Sequence, residues 1–174
     1  MAIATHDSTD GQSLVLGDIE NLPNCTIFRD TSGTAMIFNT PSGDVYKFGI
    51  GDTAYFTVGA TGIGYLSGSG GSDSQDTDKG TAVDVNAPCG VITMDNASLA
   101  AGAEATFQVN NSTVAATDTV VACIASGDTA GQHIVGVTAV ASGSFKLTVT
   151  NVTASTATTA AIVINFAVVK AVSS

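Results

Sequence analysis

The sequence predicts an all-β protein, and three observations carry that expectation. Val and Ile together number 30 against 6 Leu, and 24 Thr and 25 Ala accompany them. Val, Ile and Thr are stiff at χ1, which costs them in a helix and suits them to a pleated strand. Leu, Glu, Lys and Arg, which fill ordinary helices, are scarce. Short apolar runs recur between clusters of Gly, Asn, Asp and Ser, the residues that turn a chain.

The clearest strands lie in the second half. Val83–Val85 and Gly90–Met94 open the set, and Phe107 and Val109 alternate with polar neighbours. Val120–Ala125 is a continuous apolar run, followed by Ile134–Val140 and a strictly alternating Phe145–Val149. Ala161–Val169 closes it: Ile162, Ile164, Phe166 and Val168 share one face, with Val163, Ala167 and Val169 on the other. A strand apolar on both faces is either central in its sheet or covered by another subunit. Turn signals separate these runs at Asp95-Asn96, Asn110–Ser112, Ser126–Asp128 and Ser142-Gly143. Seven short strands so spaced indicate an antiparallel β-sandwich, jelly-roll or Ig-like, over residues 82–174, with a closed barrel as runner-up.

The first half is organised differently. Leu14–Leu16, Thr26–Phe28, Ala35–Phe38, Val45–Phe48 and Ala54–Val58 are short strands cut by Thr-Ser-Gly and Pro-Ser-Gly turns. They supply too few large side chains to close an independent core, so residues 25–66 read as a fibre-like, β-prism or oligomer-wrapped segment, the alternative being that they complete the sandwich. Residues 1–24 read as an extended N-terminal arm, whose small, polar residues 1–13 are either a frayed end or a stretch that orders on a partner. Residues 67–81 hold no hydrophobic side chain and read as a Gly/Ser/Asp linker or exposed loop.

Charge narrows the function. The chain has 174 residues, 5 Lys+Arg, 15 Asp+Glu and a net charge of −10. Eleven of the acids stand at or before Asp84, so the second half is nearly neutral. The cations Arg29, Lys47, Lys79, Lys146 and Lys170 are scattered and make no groove, which argues against nucleic acid. The longest apolar stretch is about half of what crosses a bilayer, so no membrane partner is expected. The opening Met-Ala-Ile-Ala-Thr-His-Asp has neither the basic start nor the apolar run of a signal peptide. Cys25, Cys89 and Cys123 are odd in number and widely spaced, and read as small buried hydrophobes made in a reducing cytosol, with Cys123 in the core.

Catalytic patterns are not found in the sequence. His6 falls in the arm, and His133 reads as an exposed turn histidine with no Gly-x-Ser-x-Gly nucleophile elbow to serve. Glu20 and Glu104 are the only glutamates, and nothing pairs them across a cleft. Asp73, Asp76 and Asp78 suggest hard-cation chemistry, but an EF-hand fails where Gly80 and Ala87 stand. No His/Cys grouping suits zinc, and no glycine loop suits a nucleotide. Tyr46, Tyr55 and Tyr65 could stack on sugar rings or pack a fibre core. The sequons at Asn24, Asn96, Asn110, Asn111 and Asn151 are what chance gives in a chain rich in Asn, Ser and Thr. No catalytic residue, cofactor or metal is expected, and the chain reads as a non-enzyme.

One resemblance adds to this. The run from Ala87-Pro-Cys-Gly-Val-Ile-Thr-Met-Asp-Asn through Phe107-Gln-Val-Asn-Asn-Ser-Thr to Val121, with the ending Ala161-Ile-Val-Ile-Asn-Phe-Ala-Val-Val-Lys170, resembles a β-sandwich module of tailed-phage virions. That module recurs in trimeric capsid cement (decoration) proteins, including those of cyanophages, and in distal parts of tail fibres and tailspikes. Asn39–Val58 looks weakly like phage fibre segments. The resemblance implies a homotrimer on the outer capsid surface of the virion, made in the bacterial host cytoplasm. It would bind the major capsid protein, with residues 1–24 as the contacting arm and residues 82–174 as the outward sandwich. The alternative it implies is a receptor-binding tip of a tail or head fibre that recognises a host cell-surface glycan. It carries over no active-site residue.

Overall fold

A computed structural model describes residues 3–8, 11–16, 26–29, 36–39, 46–50, 53–59 and 62–171, with side chains for 56–58 and 62–171. The chain divides into two compact units, Met1–Gly64 and Tyr65–Ser174. In the first, β1 (Ile3–Ser8), β2 (Gly11–Leu16), β3 (Thr26–Arg29) and β4 (Met36–Asn39) form one antiparallel sheet in sequence order. β5 (Tyr46–Ile50), β6 (Thr53–Gly59) and β7 (Gly62–Tyr65) form a second sheet. The expected arm therefore contains a hairpin, with Ile3 opposite Leu16 and Ser8 opposite Gly11. Residues 1, 2, 9, 10 and 17–24 of that arm lie outside the described residues, as does Cys25.

The second unit is built from β8 (Gly70–Ser74), β9 (Val83–Asp84), β10 (Cys89–Thr93), β11 (Glu104–Asn110), β12 (Thr119–Ser126), β13 (His133–Ala141), β14 (Ser144–Asn151) and β15 (Val163–Val169). They form two four-stranded sheets, ordered β12–β15–β10–β8 and β13–β14–β11–β9. One core fills the space between them in a sandwich-like arrangement: Ile92, Ile164, Phe166 and Val168 from the first sheet, with Ile162 just before β15, meet Val83, Phe107, Val109, Phe145, Leu147 and Val149 from the second. Alternation explains the division, because residues i and i+2 of a strand share a face. Phe145 and Phe166 tie the layers together, with ring centroids 5.1 Å apart at 57°.

The last strand is central in its sheet, between β12 and β10. The expected inward row Ile162, Ile164, Phe166 and Val168 is buried throughout.

Two expectations need correction. The sandwich is not purely antiparallel, since β8 runs parallel to β10 and β9 parallel to β11. From β8 to β12 the chain changes sheet at every connection, so β10 returns beside β8, and β11 beside β9, after one strand in the other sheet. Within the second unit only β13 and β14 are joined as a hairpin within one sheet, through Gly143 at φ +81°, where a side chain would be strained.

The second correction concerns residues 67–81, which are not a linker. They belong to the second unit and contain β8. Beyond β8, Gln75 and Lys79 are buried, which an exposed loop would not allow. Gln75 Nε2 donates to the Lys79 and Thr81 carbonyls, and its Oε1 accepts from Asp95 N–H at 3.1 Å. Lys79 Nζ donates to the Asp95 and Ala160 carbonyls, both at 2.6 Å, and burial pulls its pKa down. An apolar stretch is not needed to hold this segment, because amide and ammonium groups fasten it to the sheet.

Two buried asparagines make matching corners. β11 is followed by Asn111 and β14 ends in Asn151, and both side chains are wholly buried. Asn111 Oδ1 accepts from the N–H and hydroxyl of Thr113, while its Nδ2 donates to Ala87 O at 2.8 Å. Asn151 Oδ1 accepts likewise from Thr153, and its Nδ2 donates to Leu99 O at 3.0 Å and Thr156 O at 2.9 Å. The Asn-x-Thr sequences at these positions are turn-closing devices whose amides are enclosed.

Candidate binding surfaces

The two sheets present different outer faces. On β11 and β14 the outward positions are polar and bonded to one another. Thr148 Oγ1 lies 2.8 Å from Thr106 Oγ1 and 3.0 Å from Thr138 Oγ1, and Thr150 donates to Glu104. Gln108 donates to Asn110, whose own amide reaches Asp84. Threonines opposed across strands stabilise the sheet by local hydrogen bonds.

The face of β12, β15 and β10 is different in kind. Register places Val121 opposite Ala167 and Cys123 opposite Asn165, with Val91 beyond Asn165. Val91, Val121 and Val169 are exposed, and none of these three strands contains a charged residue. At the end of this sheet Pro88 accepts from Val168 N–H at 2.8 Å but has no N–H to return. The Tyr65 hydroxyl fills that gap and donates to Val168 O at 2.5 Å. Burial raises the Tyr65 pKa, and burial also raises that of Cys89.

The titratable groups singled out in the sequence are placed as follows. His133 is buried, not exposed: it opens β13, and its Nδ1 lies 2.6 Å from Asp128 Oδ1, with Nε2 enclosed and unbonded. The ring is turned inward because His133 shares the inward parity of Val135 and Val137 on β13, and Asp128, within the Gly127–Gly131 turn, holds its Nδ1. Cys123 is exposed, not in the core, and Cys89 is half-buried. Within the apolar run Val120, Ala122 and Ile124 face inward, so Cys123 must face out. Asp78 caps its own turn through Gly80 N–H and Thr81, and Asp73 accepts from Asp84 N–H at 2.7 Å. Asp73, Asp76 and Asp78 are thus not gathered at one point, and no group of three or more His, Cys, Asp or Glu is placed to hold a metal among the described residues. The side chains of His6, Glu20, Tyr46 and Tyr55 lie outside the described residues.

Asp118 shows how a polar group is used structurally. Its carboxylate accepts from Ala115 N–H at 2.8 Å and from Lys170 Nζ at 2.6 Å, while Lys170 also reaches Thr113 O. The Ala115 N–H, then the Lys170 ammonium, hold the Asp118 carboxyl below its ordinary value of 3.8. A depressed acid pKa means that the unfolded chain binds the proton more readily. This contribution is therefore complete above about pH 4 and is lost as pH falls through the lower folded value. Asp118→Asn should flatten that acid limb in thermal melts between about pH 4 and pH 2, while leaving the melts above pH 6 lower by a constant amount.

No protein-family model, curated protein or solved structure matches the chain. The functional reading therefore rests on its own residues.

Proposed function

We propose that the chain is a structural protein of a tailed-phage virion, a homotrimer that decorates the outer capsid, binds the major capsid protein and reinforces the shell without catalysing a reaction. The observation that carries this reading is the use made of polar groups in the second unit. His133 is held by Asp128, Lys79 by two carbonyls, Asp118 by Lys170 and the asparagines by their corners. These groups maintain the fold. What the unit offers a partner is uncharged surface on β12, β15 and β10.

In this account residues 1–24 contact the capsid, and three copies per particle site make the attachment avid, because the second and third arms bind intramolecularly. Full-length protein added to capsids stripped of decoration should co-sediment with them and raise their melting temperature. Protein that stays in the supernatant would contradict the reading. A fibre-tip function instead requires that excess protein block phage adsorption to host cells, and the cement reading expects no such block.

A further inference from the structure

Residues 65–81 run along the border of the second unit and cover the edge of β10. We infer that they form a strap that opens as one piece while the rest of the sandwich stays folded, with the Tyr65 hydroxyl and the Lys79 ammonium as its two catches. The opening belongs to the second unit alone and does not depend on capsid attachment.

Burial of apolar side chains is the main force that keeps a segment folded, and the strap supplies none to the core. The core cluster begins at Val83 and takes no side chain from residues 65–81. β8 is the end strand of its sheet, pairs with β10 alone and reads Gly-Gly-Ser-Asp-Ser. Gly71 lies over Val85 without a side chain to grip it. Segments of this kind, poor in apolar contacts and open along one border, sit at the low end of local opening free energies.

Polar groups hold the strap instead, at its two ends above all. At one end the Tyr65 hydroxyl donates to Val168 O on β15. At the other, Lys79 donates to the Asp95 and Ala160 carbonyls, and Gln75 N–H donates to Thr93 O at 2.9 Å. Gln75 Nε2 ties the Lys79 and Thr81 carbonyls together, so the turn from Gln75 to Thr81 moves as a piece. Between the ends Asp73 accepts from Asp84 N–H beside the β8–β10 ladder. The Lys79 catch is conditional. An ammonium out of water is costly, and burial pulls the Lys79 pKa down, so both carbonyls must stay in reach to offset it. Once the strap lifts, the ammonium regains water, which favours complete opening over partial fraying.

Opening leaves the rest of the unit intact. β10 keeps its antiparallel pairing with β15 from Cys89 to Thr93, and Met94 N–H keeps Ile162 O. Beyond the strap Val83 is held in the core and pairs with Val109 on β11, which sets the limit of the opening. The uncovered β10 is an end strand without a charge or a proline, a border to which an extended chain can add.

The test is native-state hydrogen exchange of the full chain, read amide by amide. In the unsubstituted protein the Gln75 amide should exchange at least about tenfold faster than that of Leu147 on β14, and respond less to low denaturant. This comparison needs no variant to fold. Tyr65→Phe then removes one catch and Lys79→Met the other. Each should speed the Gln75 and β8 amides at least about tenfold further and leave Leu147 unchanged. Tyr65 stands at the opposite end of the strap from Gln75, so a Y65F effect at Gln75 reports opening as one piece. A Gln75 amide as slow as Leu147 would overturn the strap, because the segment would then open only with the whole sandwich. A Y65F effect that is absent, or confined to the residues beside Tyr65, would overturn the coupling of the two catches.

Discussion

Replacing Asn151 by Asp should cost the second unit about 4 kcal/mol, more than any exposed substitution in it. The change preserves size and shape but exchanges two N–H donors for an oxygen. That oxygen would face Leu99 O and Thr156 O, which the Asn151 amide now reaches at 3.0 and 2.9 Å. Asn151 is fully buried, so water cannot replace the lost partners. The aspartate must then either bury a charge against two carbonyl oxygens or take up a proton. Because its pKa would be raised, the loss should be greatest near neutral pH and shrink toward pH 4. Thermal melts of the two proteins across that range would measure it. Asn151→Ala should cost less, about 2–3 kcal/mol, since it removes hydrogen bonds without adding a repulsion.

The second large effect is expected at Gly90, which lies opposite Gly71 across β10 and β8. A Cβ at Gly90 would stand 2.6 Å from Gly71 O, 2.8 Å from Phe166 Cε1 and 2.9 Å from Val85 Cγ1. The first obstacle is backbone and the second is a core ring, so neither yields cheaply. Val85 crosses this spot because both glycines leave it open; a Cβ at Gly71 would also lie 2.9 Å from Val85 Cγ1. Gly90→Ala should therefore destabilise by about 3 kcal/mol, although alanine has the better intrinsic conformational entropy. A denaturant midpoint lowered at constant slope would confirm overpacking as the cause.

Both positions show what the sequence could and could not reveal. The seven strands from Val83 to Val169 were legible because alternation in Phe145–Val149 and the doubly apolar Ala161–Val169 need no tertiary information. β8 was illegible for a physical reason: Gly70-Gly71-Ser72-Asp73-Ser74 has no apolar side chain and becomes a strand only because β10 offers it a partner. Its composition is a packing requirement at Gly71 and resembles that of a linker. The same ambiguity hid His133 and Lys79, whose partners lie in a turn and on distant carbonyls. Cys123 could have been placed correctly from period-2 parity, since its neighbours Val120, Ala122 and Ile124 already claim the inward side. The paired Val-x-Asn-x-Thr sequences at Val109–Thr113 and Val149–Thr153 were a signal for the two corners, though as sequons they looked accidental.

The outer faces required the strand order. Sequence alone marks β12 and β15 as apolar, but only their adjacency joins Val121, Ala167 and Val169 into one uncharged surface.

Reconstruction of the intact particle by electron cryomicroscopy bears most directly on the proposal. The account predicts density for this chain on the outer capsid shell, in copies that are multiples of three, with the N-terminal residues against the major capsid protein. Density confined to a tail or fibre tip, or none on the shell, would contradict it.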